Sequence, residues 1–266
     1  MLSSEFVWLA GINLAVILAL MVALWGLSVA IRDSSIADIF WGTGPTIVCW
    51  LTLWLSDGVA SRRLLVVTLA MLWGARLTIY ILWRNWGKED PRYARFRQKV
   101  EEQGKSYAWH SLKFVYLLQG ALMWVVSLVL IFSLSVDTPT VLGPLAYTGT
   151  ALWVIGMFFE TIADLQLARF KSDPANATKV MDRGLWRYTR HPNYFGEACV
   201  WIGFFLIAMD NTSGWFTFVS PMVVLYAVLG PTGKVLLERR MQHKRADFEA
   251  YVRRTSGFLP LPPRKS

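Results

Sequence analysis

Two cysteines in 266 residues, Cys49 and Cys199, are too few for a disulfide framework, and their spacing suits neither a metal site nor a redox pair. Histidine is nearly as scarce. His110, His191 and His243 stand far apart, with no HExxH and no cluster of metal ligands around them. A GxSxG elbow is absent too, so hydrolysis has little support. No Gly-rich strand-turn-helix occurs and no stretch alternates strands with helices, which excludes a Rossmann-type nucleotide site. The chain has no Ser/Gly-rich linker, low-complexity tract or internal repeat, and reads as a single domain over 1–266.

What fills the sequence is apolar. Hydrophobic residues make up 55%, high for a soluble domain, and they fall in long runs. An all-α, multi-span integral membrane bundle of about seven transmembrane helices is the expected fold, since crossing the hydrocarbon takes about 20 residues per helix. The predicted spans are Phe6–Ala30, Ile39–Ser56, Leu64–Trp83, Leu112–Val136, Leu142–Leu167, Tyr194–Met209, and a last one ending near Leu237 that Gly230-Pro231 interrupts. The first run contains Asn13 but no charge. It is too long for a signal-peptide core and is expected to stay as a span.

Charge is distributed as unevenly as hydropathy. Lys and Arg outnumber Asp and Glu by 27 to 18, and most of them gather in Arg84–Lys113, Arg169–Arg190 and the segment after Lys234. The loops at Asp137 and Asp210 carry no cation. Cationic loops resist translocation, which predicts a multi-pass protein with its N-terminus outside and its C-terminus in the cytoplasm. Arg62 and Arg63 break this pattern, because seven spans put them on the outer side. The split of the cations among three loops excludes a nucleic-acid surface and suits contact with membrane lipid.

The densest polar segment is GLWRYTRHPNYFGE, Gly184 to Glu197, which sets Arg187, Tyr188, Arg190, His191, Asn193, Tyr194 and Glu197 against the start of an apolar run. Ionisable groups at a membrane boundary are costly and are expected to line a site. Arginine offers a planar fork to phosphate oxygens, and tyrosine a stacking face. His191 precedes Pro192 and suits a helix start as well as an acid-base role. Glu160 and Asp164 share a helix face four residues apart, and Asp164 has the cations of the following loop to pair with. Asp38, ahead of Phe40-Trp41-Gly42, fits a helix N-cap as readily as a functional acid.

The run Glu160–Gln166 with Arg169-Phe170-Lys171, then GLWRYTRHPNYFGE, Glu238-Arg239-Arg240 and the closing FEAYVRRTSGFLPLPP resembles the C-terminal half of the steroid 5α-reductases and their bacterial relatives. That resemblance covers roughly the last 110 residues well and the first 110 loosely. It implies a bacterial inner-membrane enzyme that binds NADPH among its C-terminal spans (half 112–266) and reduces a lipophilic, steroid-like enone in a pocket built by half 1–111. By position it assigns dinucleotide contacts to Asp164, Lys171, Lys179, Asn193, Glu197, Arg240 and Lys244. Arg187, Tyr188, Arg190, His191 and Tyr194 join them as local candidates. In the first half Asp38 matches the family acid that holds the substrate carbonyl together with a tyrosine. The position aligned with that tyrosine is Trp73, whose indole cannot protonate an enolate, which leaves Tyr80 or a protonated Asp38 as donor. Isoprenylcysteine carboxyl methyltransferases carry a similar RHPNY segment, so an S-adenosylmethionine-dependent membrane methyltransferase is the alternative. A proton-relaying transporter built on Glu160, Asp164 and Glu197 ranks third.

Overall fold

The computed structural model describes residues 3–231, 233–245 and 247–264, apart from the side chain of Lys244. Among the described residues there is no strand, only an isolated bridge between Thr189 and Ser256. Six helical runs are long and apolar enough to cross a membrane: Ser4–Ile31, Ile36–Leu55, Ala60–Asn85, Tyr107–Ser135, Pro144–Ser172 and Thr212–His243. They correspond to the predicted spans one to five and seven. The predicted sixth forms a helix of 17 residues, Pro192–Ala208, between the last two of these runs. The protein is a multi-span membrane helical bundle.

The helix boundaries follow from local chemistry. α1 (Ser4–Ile31) starts where the Ser3 hydroxyl accepts the Phe6 amide at 3.1 Å, and ends at Arg32 in the left-handed region. α2 (Ile36–Leu55) and α3 (Ala60–Asn85) follow. The basic segment read as a loop holds α4 (Pro91–Glu102), which opens on proline behind the capping carboxylate of Asp90. α5 (Tyr107–Ser111) runs through a wide π-turn, Leu112–Leu117, into α6 (Leu118–Ser135). α7 (Pro144–Ser172) stops ahead of Asp173-Pro174, and α8 (Pro192–Ala208) again opens on proline. The Gly230-Pro231 break separates α9 (Val219–Leu229) from α10 (Lys234–Lys244), and α11 (Phe248–Arg254) completes the series.

The chain divides into two compact units, residues 1–143 with 208–217, and residues 144–207 with 218–266. The division lies beyond position 111 because α6 packs with α1 and α2. In the first unit Gly42 of α2 and Gly74 of α3 press backbone to backbone, so that a Cβ on either would strike the other's carbonyl. Polar ties cross the same bundle: the Asn13 amide donates to Thr52 at 3.0 Å, and the Trp124 indole donates to the Ala10 carbonyl at 2.8 Å.

One end of this unit accounts for the two stray cations. Arg62 is fully buried; it donates to the carbonyls of Thr138 and Pro139 at 3.1 and 3.2 Å and lies 3.7 Å from Asp210. Asp210 in turn accepts the Gly143 amide at 2.7 Å. Arg63 donates to the Leu53 carbonyl beside Asp57. Arg62 clasps two loops together and Arg63 ties α3 to the end of α2, so neither acts as a free loop charge.

The second unit is held by four glycines. Gly149 and Gly156 on α7 face Gly203 and Gly196 on α8, and a Cβ on Gly156 would lie 2.6 Å from the Gly196 carbonyl oxygen. Each pair spans two helical turns, which keeps the two backbones close along that length.

Candidate active site

In the second unit a cleft of about 410 Å3 opens among the end of α7, the segment before α8, α10 and α11. Its lining includes apolar Leu167, Met181, Leu237 and Met241 and the cations Lys171, Lys179 and Arg245, the last of which also donates to the Ala177 carbonyl. Asp173 caps the short turn Pro174–Asn176 by accepting the Ala175 amide at 2.9 Å, and Asn176 reaches back to the Phe170 carbonyl at 3.1 Å. Gly184 takes φ +59 where the Gln166 side chain leaves no room for a Cβ, and Gln166 accepts the Leu185 amide at 3.0 Å. Trp186 is pinned from both sides: its indole donates to the Ala163 carbonyl at 3.1 Å, and its own carbonyl accepts the Tyr251 hydroxyl at 2.5 Å.

Arg190 and His191 converge on Glu238 of α10. The Arg190 guanidinium forks onto both Glu238 oxygens at 3.0 and 3.3 Å and donates to the Thr255 carbonyl at 2.6 Å and the Val252 carbonyl at 3.3 Å. Its donors are already committed within the protein. His191 Nε2 lies 2.9 Å from Glu238 Oε1, and its ring stacks on Tyr194 at 5.2 Å between centroids. Burial pushes the imidazole below its ordinary pKa, with Glu238 opposing that shift. A neutral ring whose Nε2–H donates to the carboxylate fits this geometry.

The sequence-predicted cofactor residues therefore take different places. Lys171, Lys179, Arg190, His191, Asn193 and Tyr194 line the cleft. Asp164 is buried one step behind it and accepts from the Asn193 amide at 3.3 Å. Glu197, one turn along α8, accepts the Trp201 indole at 2.8 Å. Arg187 is exposed and lines a separate cleft, and exposed Tyr188 meets the tail through its carbonyl, which accepts the Leu261 amide at 3.0 Å. Arg240 sits on α10, whose Leu237, Glu238 and Met241 face the cleft. The Lys244 side chain lies outside the described residues. Asn176, Trp186, Glu238, Arg245 and Tyr251 line the cleft without having been marked as site residues by the sequence. Glu238 was within reach, since it opens the quoted Glu-Arg-Arg run.

The first unit carries the second polar group. Asp38 sits in the first turn of α2 and does not cap it; Ser35 holds the cap position, and Asp33 accepts the Ser35 amide at 2.8 Å. The Asp38 carboxylate accepts the Tyr93 hydroxyl at 2.5 Å and an Arg92 N–H at 2.6 Å. Gln119 donates to the Tyr93 oxygen at 3.0 Å, and its own carbonyl oxygen is fixed by the Trp41 indole at 2.8 Å. Burial and the Asp38 charge push the Tyr93 phenol well above its usual range, so it keeps its proton at neutral pH. Of the other two catalytic candidates, Trp73 is buried in α3, and Tyr80 lies with the Arg76 and Arg84 guanidinium groups 5.5 and 5.8 Å from its ring centre. Tyr93 was missed because it lies 55 residues from Asp38 in the chain.

The chain is 27% identical over 270 residues to an uncharacterized protein of Schizosaccharomyces pombe, covering 89% of this chain and 75% of that one. It is 31% identical over 121 residues to the 3-oxo-5-alpha-steroid 4-dehydrogenase 1 of Rattus norvegicus, covering 44% of this chain and 42% of the rat protein. A shorter stretch, 74 residues at 32% identity, matches the very-long-chain enoyl-CoA reductase of Dictyostelium discoideum, or 28% of this chain and 25% of that protein. The chain thus spans less than half the length of these two named enzymes. No solved structure matches it. The family model described as "Protein of unknown function (DUF1295)" matches residues 24–255, and on that match the chain belongs to the DUF1295 family, a steroid 5α-reductase-like family of multi-span membrane proteins.

Proposed function

We propose that this protein is an NADPH-dependent reductase of a carbon–carbon double bond conjugated to a carbonyl in an apolar substrate, for which a Δ4-3-ketosteroid is the model. The observation that carries the reading is the cleft of the second unit. It joins three cationic side chains, Lys171, Lys179 and Arg245, to an apolar lining and to the amide of Asn193 that Asp164 orients. Cations suit the phosphates of a dinucleotide, and the carboxamide and stacked Tyr194 suit a planar amide-bearing ring. Its volume falls within the range of small-molecule sites. When bound there, NADPH would supply a hydride equivalent.

The chain's own residues have three tasks under this reading. Lys171, Lys179 and Arg245 bind phosphate oxygens, while Glu238 keeps Arg190 and His191 in place and so holds the wall of the cleft. Tyr93 would carry the proton: its single O–H, which Asp38 accepts and beside which Gln119 donates to the oxygen, would turn from Asp38 to the substrate oxygen and stabilise the negative charge growing there. Gln119 and Trp41 hold that hydroxyl without titrating themselves. The overall change is conjugate reduction, hydride to the β-carbon and proton to the α-carbon. The names of the rat and Dictyostelium relatives share this chemistry, a double bond activated by a neighbouring carbonyl.

The same reading sets the protein in a bacterial inner membrane with its C-terminus in the cytoplasm and lipid around it. The orientation alone is supported by the acidic end of the first unit, where Glu5, Asp57 and Asp137 gather around one pocket and Arg62 is neutralised by Asp210. Thermal unfolding of the purified full chain with NADPH, and separately with S-adenosylmethionine, tests the assignment. At a hundredfold excess over Kd the cognate ligand adds about 2.7 kcal/mol of stability. NADPH should raise Tm and support enone-dependent consumption of its absorbance. Stabilisation by S-adenosylmethionine alone would transfer the protein to the methyltransferases.

A further inference from the structure

We propose a second anion site in this protein, a cleft ringed by Arg183, Arg187, Arg254 and Arg264 that takes a phosphate-bearing ligand separate from the dinucleotide. The cleft measures about 690 Å3 and is also lined by Asp182 and Thr255. Four guanidinium groups meet a single carboxylate there, and Asp182 is already engaged by Arg254. Among the described residues, the side chains of Arg183, Arg187 and Arg264 make no hydrogen bond and no ion pair, and all three are exposed.

A merely solvated basic face would leave such side chains on mobile loops, free to spread apart. Here the backbone brings them together. Gly184, at φ +59, turns the chain between Arg183 and Arg187, and Gln166 anchors that turn through the Leu185 amide. The opposite wall is fastened to it by the Arg190 amide on the Ser256 carbonyl at 2.9 Å, the Thr189 hydroxyl on the Phe258 carbonyl at 2.8 Å, and the Leu261 amide on the Tyr188 carbonyl at 3.0 Å. Arg264 is set next to Arg254 because its amide donates to the Arg254 carbonyl at 2.9 Å. Two chain segments more than sixty residues apart are thus pinned so that four cations share one concavity.

Like charges held together in this way repel until an anion enters, and guanidinium forks match phosphate oxygens in pairs. The ligand chemistry is a phosphate monoester, diester or diphosphate. It has two sources, the headgroup of an anionic phospholipid and a soluble phosphate. The lining also separates this site from the proposed dinucleotide cleft, since the two share no residue and Lys171, Lys179 and Arg245 line the other one.

The test uses the full chain and the R183Q/R264Q variant, whose altered side chains are exposed and unpaired, so folding should survive. Inorganic diphosphate is titrated against the detergent-solubilised protein, and retention of phosphatidylglycerol against phosphatidylcholine is measured by native mass spectrometry from mixed nanodiscs. Saturable binding of either probe by the wild type, weakened about tenfold or more in the variant, supports the site; the arm that responds names the source. Binding of both probes by the variant at wild-type strength would overturn it, as would failure of the wild type to bind either above a chloride control. Stabilisation by NADPH serves as the internal reference: if it falls together with anion binding in the variant, the cleft belongs to the dinucleotide and the second site is refuted. Absence of any NADPH effect in both proteins would instead count against the reductase reading and leave this one standing.

Discussion

Replacing Gly156 by alanine probes the tightest contact in the second unit. The new methyl would lie 2.6 Å from the Gly196 carbonyl oxygen, 2.7 Å from the Val200 nitrogen and 2.9 Å from a Val200 methyl, and two of these three are backbone that no rotamer can move. To reach ordinary contact near 3.4 Å, α7 and α8 must part by roughly 0.8 Å at this point, and overpacking of this kind typically costs about 1–3 kcal/mol. The strain does not stop there. Two turns away Gly149 and Gly203 are in equally close contact, and on the other side Asn193 meets Asp164 at 3.3 Å, at the upper limit of a hydrogen bond. Gly156→Ala should therefore lower Tm in detergent and weaken NADPH binding together, since both depend on the same helix spacing. Gly11→Ala is the control: nothing lies within 4 Å of its Cβ, and alanine is the better helix former by about 1 kcal/mol, so Tm should hold or rise. A Gly156→Ala protein as stable as wild type, with unchanged dinucleotide affinity, would show that this backbone contact does not set the cleft.

Further outcomes are expected at other positions. Tyr93→Phe should fold as well as wild type and lose about a hundredfold or more in enone reduction, the usual scale for a positioned proton donor, while NADPH-induced stabilisation persists; undiminished turnover would remove Tyr93 from the reaction. Asp38→Ala should also abolish turnover, read in the same assay. Asp210→Asn leaves the Arg62 charge buried without its counterion and should cost about 3–5 kcal/mol, whereas Arg62→Met together with Asp210→Leu should recover much of that loss in thermal unfolding. His191 has a folded pKa below its unfolded value of about 6.5, so the unfolded chain takes up the proton first. Stability should be fully present above that value and fall as pH drops through it, and His191→Gln should flatten the Tm profile in this window; an unaltered slope would place the acid sensitivity elsewhere.

The spans were legible because about twenty apolar residues in a row admit few other structures. α8 was the weak one: its apolar run is brief and its first turns are occupied by the polar segment that builds the cleft. The stray cations Arg62 and Arg63 stood against the topology reading for a physical reason. Loop-charge counting assumes that a cation faces water, and Arg62 is enclosed by carbonyls of a segment 76 residues later. α4 carried a readable start, Asp90 before Pro91, that the density of charge around it obscured. Arg190 shows the converse limit. Its fork was read as suited to phosphate oxygens, but composition cannot say whether its partner is a ligand phosphate or Glu238, 48 residues away.

Arg190 also indicates how a bundle without any loop-rich scaffold makes a rigid site. In most enzymes the walls of a cleft are held by a sheet or by packed helices; here the wall is the irregular segment 184–191, which has too few backbone bonds of its own. The C-terminal segment supplies them. Thr189, Arg190 and Trp186 are each tied to residues 251–258 through a carbonyl or hydroxyl, and Arg190 alone binds two carbonyls and one carboxylate. Removing that fork would release the wall on several sides at once, so Arg190→Lys, which keeps the charge but loses the planar geometry, is not conservative at this position. The charge of Arg190 is thus committed to architecture, and under the proposed reading recognition of a dinucleotide would fall to Lys171, Lys179 and Arg245.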